Sequence, residues 1–352
     1  MRDQGAMTNL PPDEATDGQP TRRVPVWARV LVILISLAII ALLVSQIHPR
    51  DIAQLLQRAK TEWLVPALGF CLLMQVLRGW RFYTLTRHRL PLLRLSGIAM
   101  VQNLLLTVLP MRAGEVSFVA LLAREGGLGV ALAGKILVAV RLMDLAVVTG
   151  LFIISSQLLP SLQTPLMVLL PALPLLALCV GLVVWPQTLA RVLQPVSRWA
   201  LGLPGLRRWR AKGEALVEHA LTVADPDAFR SLLPSLWLQS VLIWSCGMAI
   251  NYAALHAVGL GLSAAAVVYV STVTVVSSVV PINGPAGYGA QDAVSAAVLL
   301  VLGIGRAEAI AAELGWHTLN LLLCIITGAL GWLYLAVGRG KDERERRPGN
   351  GG

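Results

Sequence analysis

The sequence predicts an all-α polytopic membrane protein with six full spans and two broken or re-entrant helical hairpins, about eight membrane segments in all. The prediction rests on an apolar composition, on apolar runs of bilayer length, and on charges placed between those runs. Hydrophobic residues make up 56% of the 352 residues and charged residues 14%, and the mean hydropathy is +0.70. A soluble domain with about 25% charged residues has no core large enough for so many apolar side chains, whereas a bilayer accommodates them.

Six apolar runs are expected to cross the bilayer as helices. The first has 18 residues, which span roughly 27 Å as a helix, close to the thickness of a bilayer core. It lacks the short core and small-residue cleavage site of a signal peptide, so we interpret it as an uncleaved anchor. The six runs are Val30–Ile47, Trp63–Leu77, Val130–Gln157, Leu166–Trp185, Leu233–Val258 and Ala309–Val337.

Two further apolar segments are interrupted by helix-breaking residues. Leu95–Pro110 leads into a first loop at residues 111–115, and Leu262–Val280 leads into a second loop, Pro281–Gly289. Each segment then resumes as apolar sequence. Irregular backbone survives at membrane depth only where protein or water satisfies it, so each segment is predicted to be a re-entrant hairpin with a functional loop. An interfacial turn with a snorkelling Arg is the alternative for the first loop, and an extracellular loop for the second.

Basic residues indicate the orientation, because cytoplasmic segments carry a Lys and Arg excess. If each hairpin returns to the side from which it starts, 21 of the 29 basic residues lie on the side of the N-terminus and four on the opposite side. This count places Arg78–Arg94 in a cytoplasmic loop. The sequence thus predicts a bacterial inner-membrane protein with both termini cytoplasmic. Three spans separate the hairpins, so their topology is inverted, which indicates an inverted repeat like those of secondary transporters.

The predicted domain organisation has three parts. Residues 1–25 form a disordered cytoplasmic tail, residues 26–338 the membrane domain, and residues 339–352 a charged cytoplasmic tail. Within the domain, residues 187–232 are basic and only intermittently apolar. They are interpreted as an amphipathic cytoplasmic connector on anionic lipid, with a solvated linker as the alternative.

Polar residues that could bind a ligand lie in both loops and in two spans. Arg112 suits a phosphate because a guanidinium donates two parallel hydrogen bonds. Arg141 and Asp144 lie at i, i+3 inside a span, either as ligand-binding groups or as a structural ion pair. Glu313 and His317 lie at i, i+4 and either exchange a proton or simply hydrogen-bond. The candidate binding residues are Arg112, Gly114, Glu115, Arg141, Asp144, Asn283, Gly284, Gly287, Gly289, Gln291, Asp292, Glu313, His317 and Asn320.

Several classes of function find no support in the sequence. It has no Walker loop, no HExxH motif and no nucleophile elbow, and its five histidines form no metal-ligand spacing. The four cysteines lie singly in apolar stretches. The basic residues lie between apolar runs rather than on one face, which argues against nucleic acid. We therefore expect no catalytic residues, no metal and no cofactor.

Three motifs, taken together and in order, resemble one protein family. They are Leu109–Glu115, Val140–Asp144, and Pro281–Gly289 followed by Gln291. They look like the markers of the flippase-like transmembrane domain of lysylphosphatidylglycerol synthetases and its stand-alone relatives. They are also similar to membrane proteins associated with hopanoid or lipid-linked sugar pathways. The resemblance covers about Val30 to Val337.

The resemblance implies an eight-helix-like domain with re-entrant segments and a role in moving or handling lipids. The soluble aminoacyl-transfer domain of the synthetases is absent, so lipid aminoacylation is not implied. Gln291 stands where the family commonly has Glu, with Asp292 beside it. This difference argues against a mechanism that needs a carboxylate at position 291.

The function expected from these observations is binding of a lipid or lipid-linked anionic headgroup, and its translocation across the bilayer without ATP. Arg112, Arg141 and the second loop would hold the headgroup while the tails stay in lipid. Two alternatives remain open: a non-transporting scaffold or accessory subunit of a lipid-modifying pathway, and an intramembrane enzyme of lipid metabolism. The expected partners are membrane lipids and lipid-biosynthesis enzymes.

Overall fold

The structure is a computed structural model, and several predicted segments fall outside the residues it describes. Outside them lie the N-terminal tail, the first predicted span, both predicted loops and most of the connector. The described residues are 60–86, 88, 90–108, 119–120, 130–159, 166–184, 226–277 and 290–345.

The described residues form eight α-helices and contain no strand. In chain order the helices are α1 Thr61–Leu85, α2 Leu92–Val108, α3 Val130–Gln157, α4 Leu166–Val184, α5 Pro226–Ala257, α6 Ala264–Ser277, α7 Ala290–Val301 and α8 Arg306–Glu345. The predicted all-α fold is therefore confirmed for the described part of the chain.

Four of the described helices, α1, α3, α5 and α8, are long and apolar enough to cross a membrane. Their apolar stretches are Thr61–Leu85, Leu137–Gln157, Ser231–Ala257 and Arg306–Gly338, which match four predicted spans. The predicted span Leu166–Trp185 corresponds to α4, a helix of 19 residues that contains Pro171 and Pro174. The predicted total of six spans remains a prediction, because the first lies outside the described residues.

Three described helices extend beyond the predicted apolar spans into charged sequence. The first is α1, which continues to Leu85 rather than Leu77, so Arg78 and Arg81 belong to a helix and not to a cytoplasmic loop. Helix α5 begins at Pro226, inside the predicted connector, and α8 continues to Glu345, inside the predicted tail. Lys, Arg and Glu are good helix formers, so a rise in charge does not by itself end a helix.

The described helices carry apolar side chains on their outer surface and polar ones inside. Val65 is 76% exposed and Leu93 is 65% exposed, whereas Gln75 and Gln239 are completely buried. A soluble protein rarely exposes large contiguous apolar surface, and it buries polar side chains only with partners. This distribution fits helices that face lipid and enclose polar groups.

Small residues allow α2 to pack closely against both α1 and α8. A Cβ on Gly79 of α1 would clash with the backbone and hydroxyl of Ser96 on α2. A Cβ on Gly331 of α8 would lie 2.5 Å from Met100 Cβ and 2.9 Å from the carbonyl oxygen of Gly97 on α2. Helices in membranes associate through such close contacts, because lipid provides no hydrophobic drive between them.

Helix α5 packs against α1, α3, α6 and α8. Near its C-terminal end, Leu255 lies in a buried apolar cluster with Val267 of α6, Leu299 of α7 and Trp316 of α8. The Lys60 amide donates a hydrogen bond of 3.0 Å to the carbonyl oxygen of Ala257, which places the start of α1 beside the end of α5.

The described parts of two neighbouring helices are shorter than a bilayer core is thick. With 14 and 12 residues, the described parts of α6 and α7 measure roughly 21 Å and 18 Å, against about 30 Å for a bilayer core. The two helices pack against each other, and α7 also packs against α8. Gly303, with a φ of +89°, lies in the turn between α7 and α8, where a residue without a Cβ is favoured.

Replacing Gly79 by Val is expected to destabilise the protein by about 1–3 kcal/mol, because the added side chain would clash with the Ser96 backbone. Gly69→Val is the matched control, since a Cβ at Gly69 of the same helix meets no atom within 4 Å. Thermal unfolding in detergent would compare the two variants. Equal losses of stability would contradict the close α1–α2 contact.

Candidate functional site

A buried ion pair joins three helices. The Arg81 Nη1 atom of α1 donates a hydrogen bond of 2.6 Å to Asp144 Oδ1 of α3, and Nη2 lies 3.4 Å from Oδ2. Nη1 also donates to the Ser240 hydroxyl of α5 at 3.2 Å. The side chains of Arg81 and Asp144 are only 4% and 10% exposed. Taking two charges out of water is costly unless they pair closely, and removing either partner would leave an uncompensated buried charge.

Two further arginines surround this pair. Arg78 interacts electrostatically with Arg81, Arg141 and Asp144. It lies one turn before Arg81 on the same face of α1, and Arg141 lies one turn before Asp144 on α3. We call Arg78, Arg81 and Arg141 the arginine cluster. With Asp144 it combines three positive charges and one negative charge.

The arginine cluster is connected to α2 and α8 by polar side chains. Arg78 Nη1 donates to Asn103 Oδ1 at 2.6 Å, and Asn103 Nδ2 donates to the Cys324 sulfur of α8 at 3.0 Å. The Thr107 hydroxyl lies 3.5 Å from the same sulfur. Helices α2, α3 and α5 therefore contribute groups that contact Arg78 or Arg81 directly. Helix α8 contributes Cys324, which contacts the Asn103 partner of Arg78.

Buried amides near the cluster have hydrogen-bonding capacity that the described residues do not use. Gln75 lies one turn before Arg78 on α1 and is completely buried, and neither its amide nitrogen nor its oxygen has a partner among these residues. The side-chain oxygen of Gln239, next to Ser240, is likewise unpartnered there, whereas its nitrogen donates to Thr84. Buried polar groups nearly always have partners, so such atoms are candidates for ligand contacts.

A second cluster of charged side chains lies between α7 and α8. His317 Nδ1 is 2.5 Å from Asp292 Oδ1. Glu313, one turn before His317, is buried, and its Oε2 has no partner among the described residues. Asp292, Glu313 and His317, which we call the acidic cluster, offer ligand atoms within 4.8 Å of one another and could hold a metal ion.

The structure adds partners to two predicted pairs. Asp144 is bound by Arg81, which was predicted to lie in a loop, so the predicted Arg141–Asp144 site gains Arg78 and Arg81. His317 interacts with Glu313, the pair considered from the sequence, and it also contacts Asp292 of another helix. The amide of Asn320, on the same helix as Glu313 and His317, donates to the Trp316 carbonyl at 3.1 Å.

The other candidate residues are not brought into either cluster by the described structure. Gln291 begins the first turn of α7, where its carbonyl accepts a hydrogen bond from Ser295. The residues of the two predicted loops lie outside the described residues; they are Arg112, Gly114, Glu115, Asn283, Gly284, Gly287 and Gly289.

Arg78 and Arg81 were not predicted as site residues, although the sequence contains one signal for them. The two residues continue the apolar run of α1 at i, i+3 with no proline before Pro91. That spacing puts both on one face, as expected of buried charges in a helix.

These features define a multi-pass helical membrane protein with charged groups enclosed between its helices. The family model of the lysylphosphatidylglycerol synthase TM region matches residues 27–328, and the chain belongs to this family. The match confirms the resemblance stated from the motifs. No curated protein and no solved structure matches the chain.

Replacing Asp144 by Leu is expected to cost about 3–5 kcal/mol of stability, because it leaves the buried Arg81 without its carboxylate. The double variant Arg81→Leu/Asp144→Leu is expected to lose less than the single variant, since it removes both charges of the pair. Unfolding in one detergent would measure all members of this cycle. A double variant less stable than the Asp144→Leu variant would show that the pair does not couple as described.

Proposed function

We propose that this protein binds the anionic, phosphate-bearing headgroup of a lipid or lipid-linked molecule at the arginine cluster and moves it across the bilayer without nucleotide hydrolysis. The observation that carries the proposal is the gathering of guanidinium groups between the helices: Arg81 pairs with the buried Asp144, and Arg78 interacts with Arg81, Arg141 and Asp144. A charge at the centre of a membrane helix costs about 2.5–3.5 kcal/mol on insertion scales. A bound anion would offset part of that cost.

The donors around the cluster suit phosphate in particular. A guanidinium presents a planar fork that binds two phosphate oxygens together, which an ammonium group cannot do. Gln75 adds an amide donor one turn from Arg78 on the same helix face. Phosphate has enough oxygens to accept from several of these groups at once.

Family membership supports lipid handling, since the matching model describes the membrane region of a lipid-modifying protein. Translocation by this chain is our proposal. Helices α6 and α7 support it, because they pack against each other and the described part of each is shorter than a bilayer core is thick. We propose that they form a hairpin that enters and leaves the membrane on one side, as the broken helices of transporters do.

Conservative replacement in the arginine cluster is expected to weaken headgroup binding about tenfold, which corresponds to 1.4 kcal/mol. Arg78→Lys and Arg141→Lys keep the charge but lose the bidentate fork. Arg306→Lys is the matched control, because Arg306 is exposed at the start of α8. Binding of phosphatidylglycerol to the purified full chain, compared with phosphatidylcholine, would measure the effect.

Translocation would be measured in proteoliposomes with a fluorescent phosphatidylglycerol and an impermeant quencher. Wild type and Arg306→Lys should expose inner-leaflet lipid to the quencher faster than empty vesicles, and the two cluster variants should be slower. Lipid binding without any acceleration would contradict translocation and favour the scaffold alternative. Unchanged binding in both cluster variants would contradict the headgroup site.

Both termini are proposed to be cytoplasmic. The basic asymmetry stays large after Arg78 and Arg81 are assigned to α1, because the segments around residues 191–230 and 339–347 contribute most of it. Reporter fusions at Gly349 and near Arg2 should be active only as cytoplasmic reporters. A periplasmic signal from either fusion would contradict the orientation.

A further inference from the structure

The acidic cluster between α7 and α8 is chemically unlike the arginine cluster and has no part in the proposed headgroup binding. It contains two carboxylates and one imidazole, and among the described residues no arginine or lysine is a group that interacts with Glu313. We propose that Asp292, Glu313 and His317 form a binding site for one divalent transition-metal ion of the Zn²⁺ or Mn²⁺ class. This proposal is independent of the lipid and of translocation.

The geometry of the three side chains is that of a preformed metal site. Glu313 and His317 lie at i, i+4 on one face of α8, a spacing that lets two side chains of a helix reach one ion. Asp292 reaches the same point from α7, and the candidate ligand atoms all lie within 4.8 Å of one another. Three protein ligands leave a fourth position open, as in catalytic rather than structural zinc sites.

Glu313 supplies a second and independent observation. Its side chain is only 4% exposed, and its Oε2 has no hydrogen-bond partner among the described residues. The Glu313 carboxylate interacts with Ser295 and His317, but a buried carboxylate oxygen without a partner is costly, and a second carboxylate nearby increases the cost through repulsion. A divalent cation between the two would remove both costs at once.

A partly open cavity of about 170 Å³ adjoins two of the three residues of the cluster, Asp292 and Glu313. The cavity is lined by Asp292, Ala293, Ala296, Ile310, Glu313 and Leu314.

The donor set selects the class of metal. Carboxylates alone would suit Mg²⁺ or Ca²⁺, whereas an imidazole ligand favours Zn²⁺ and other first-row transition metals. Two ligands on a tetrahedral ion with bonds of about 2.0–2.1 Å are roughly 3.3 Å apart. Asp292 and His317, now 2.5 Å apart, would separate by less than about 1 Å on metal binding, which small side-chain rotations allow.

The test is metal binding by the purified full chain in detergent after treatment with a chelator. Wild type should bind one equivalent of Zn²⁺, and Co²⁺ in its place should give the visible absorption of a tetrahedral site. Mg²⁺ should not compete. Glu313→Gln and His317→Gln should each weaken Zn²⁺ binding at least about tenfold, because each removes one ligand. Glu308→Gln is the matched control, since Glu308 is exposed on the same helix.

Three outcomes would overturn the proposal. The first is a wild-type protein that binds no Zn²⁺, as expected if a proton on Glu313 rather than a metal relieves the repulsion. The second is equal Zn²⁺ binding by Glu313→Gln, His317→Gln and Glu308→Gln, which would place the metal elsewhere. Should a ligand variant fail to fold, the thermal midpoint of wild type decides: Zn²⁺ should raise it, and the third outcome is a midpoint that Zn²⁺ leaves unchanged.

Discussion

The ion pair between Arg81 and Asp144 is the interaction on which the arrangement of the helices depends. Apolar contacts alone define a bundle poorly in a membrane, because lipid tails are as apolar as leucine. A directional ion pair defines the arrangement of the helices better, because a large free-energy cost follows when its two partners are separated. Arg81 binds Asp144 on α3 and Ser240 on α5, so a shift of α1 against α3 would leave two buried charges unpaired, and a shift of α5 would remove a hydrogen bond from Arg81. The cost of separating the ion pair is several kcal/mol.

Small residues make the rest of this polar network possible. Gly79 of α1 and Gly331 of α8 let α2 approach from both sides. That approach brings Asn103 within 2.6 Å of Arg78 and within 3.0 Å of the Cys324 sulfur. Larger side chains would push α2 away and leave Arg78 without its amide partner. The close packing and the polar contacts thus depend on each other.

The sequence predicted the positions of the helices better than it predicted the side-chain contacts between them. Apolar runs located four long helices, because a run of bilayer length has few alternatives. The end of α1 was predicted too early, before Arg78 and Arg81. In a sequence, an arginine that is buried with a partner cannot be distinguished from an arginine in a loop. Asp144 lies 63 residues from Arg81, and Asp292 lies 25 from His317. The spacing of residues within one helix indicates which of them lie on the same face. It gives no information on which other helix that face contacts.

The two clusters lie on different helices and offer different chemistry. The arginine cluster lies on α1 and α3 and reaches α8 only through Asn103 and Cys324, and Cys324 lies seven residues after His317. Seven helical residues rise about 10 Å, and two opposite unit charges at that distance attract by about 1.7 kcal/mol at an effective dielectric constant of about 20. The arginine cluster offers guanidinium donors, which suit an anion, whereas the acidic cluster offers carboxylate and imidazole groups, which suit a cation.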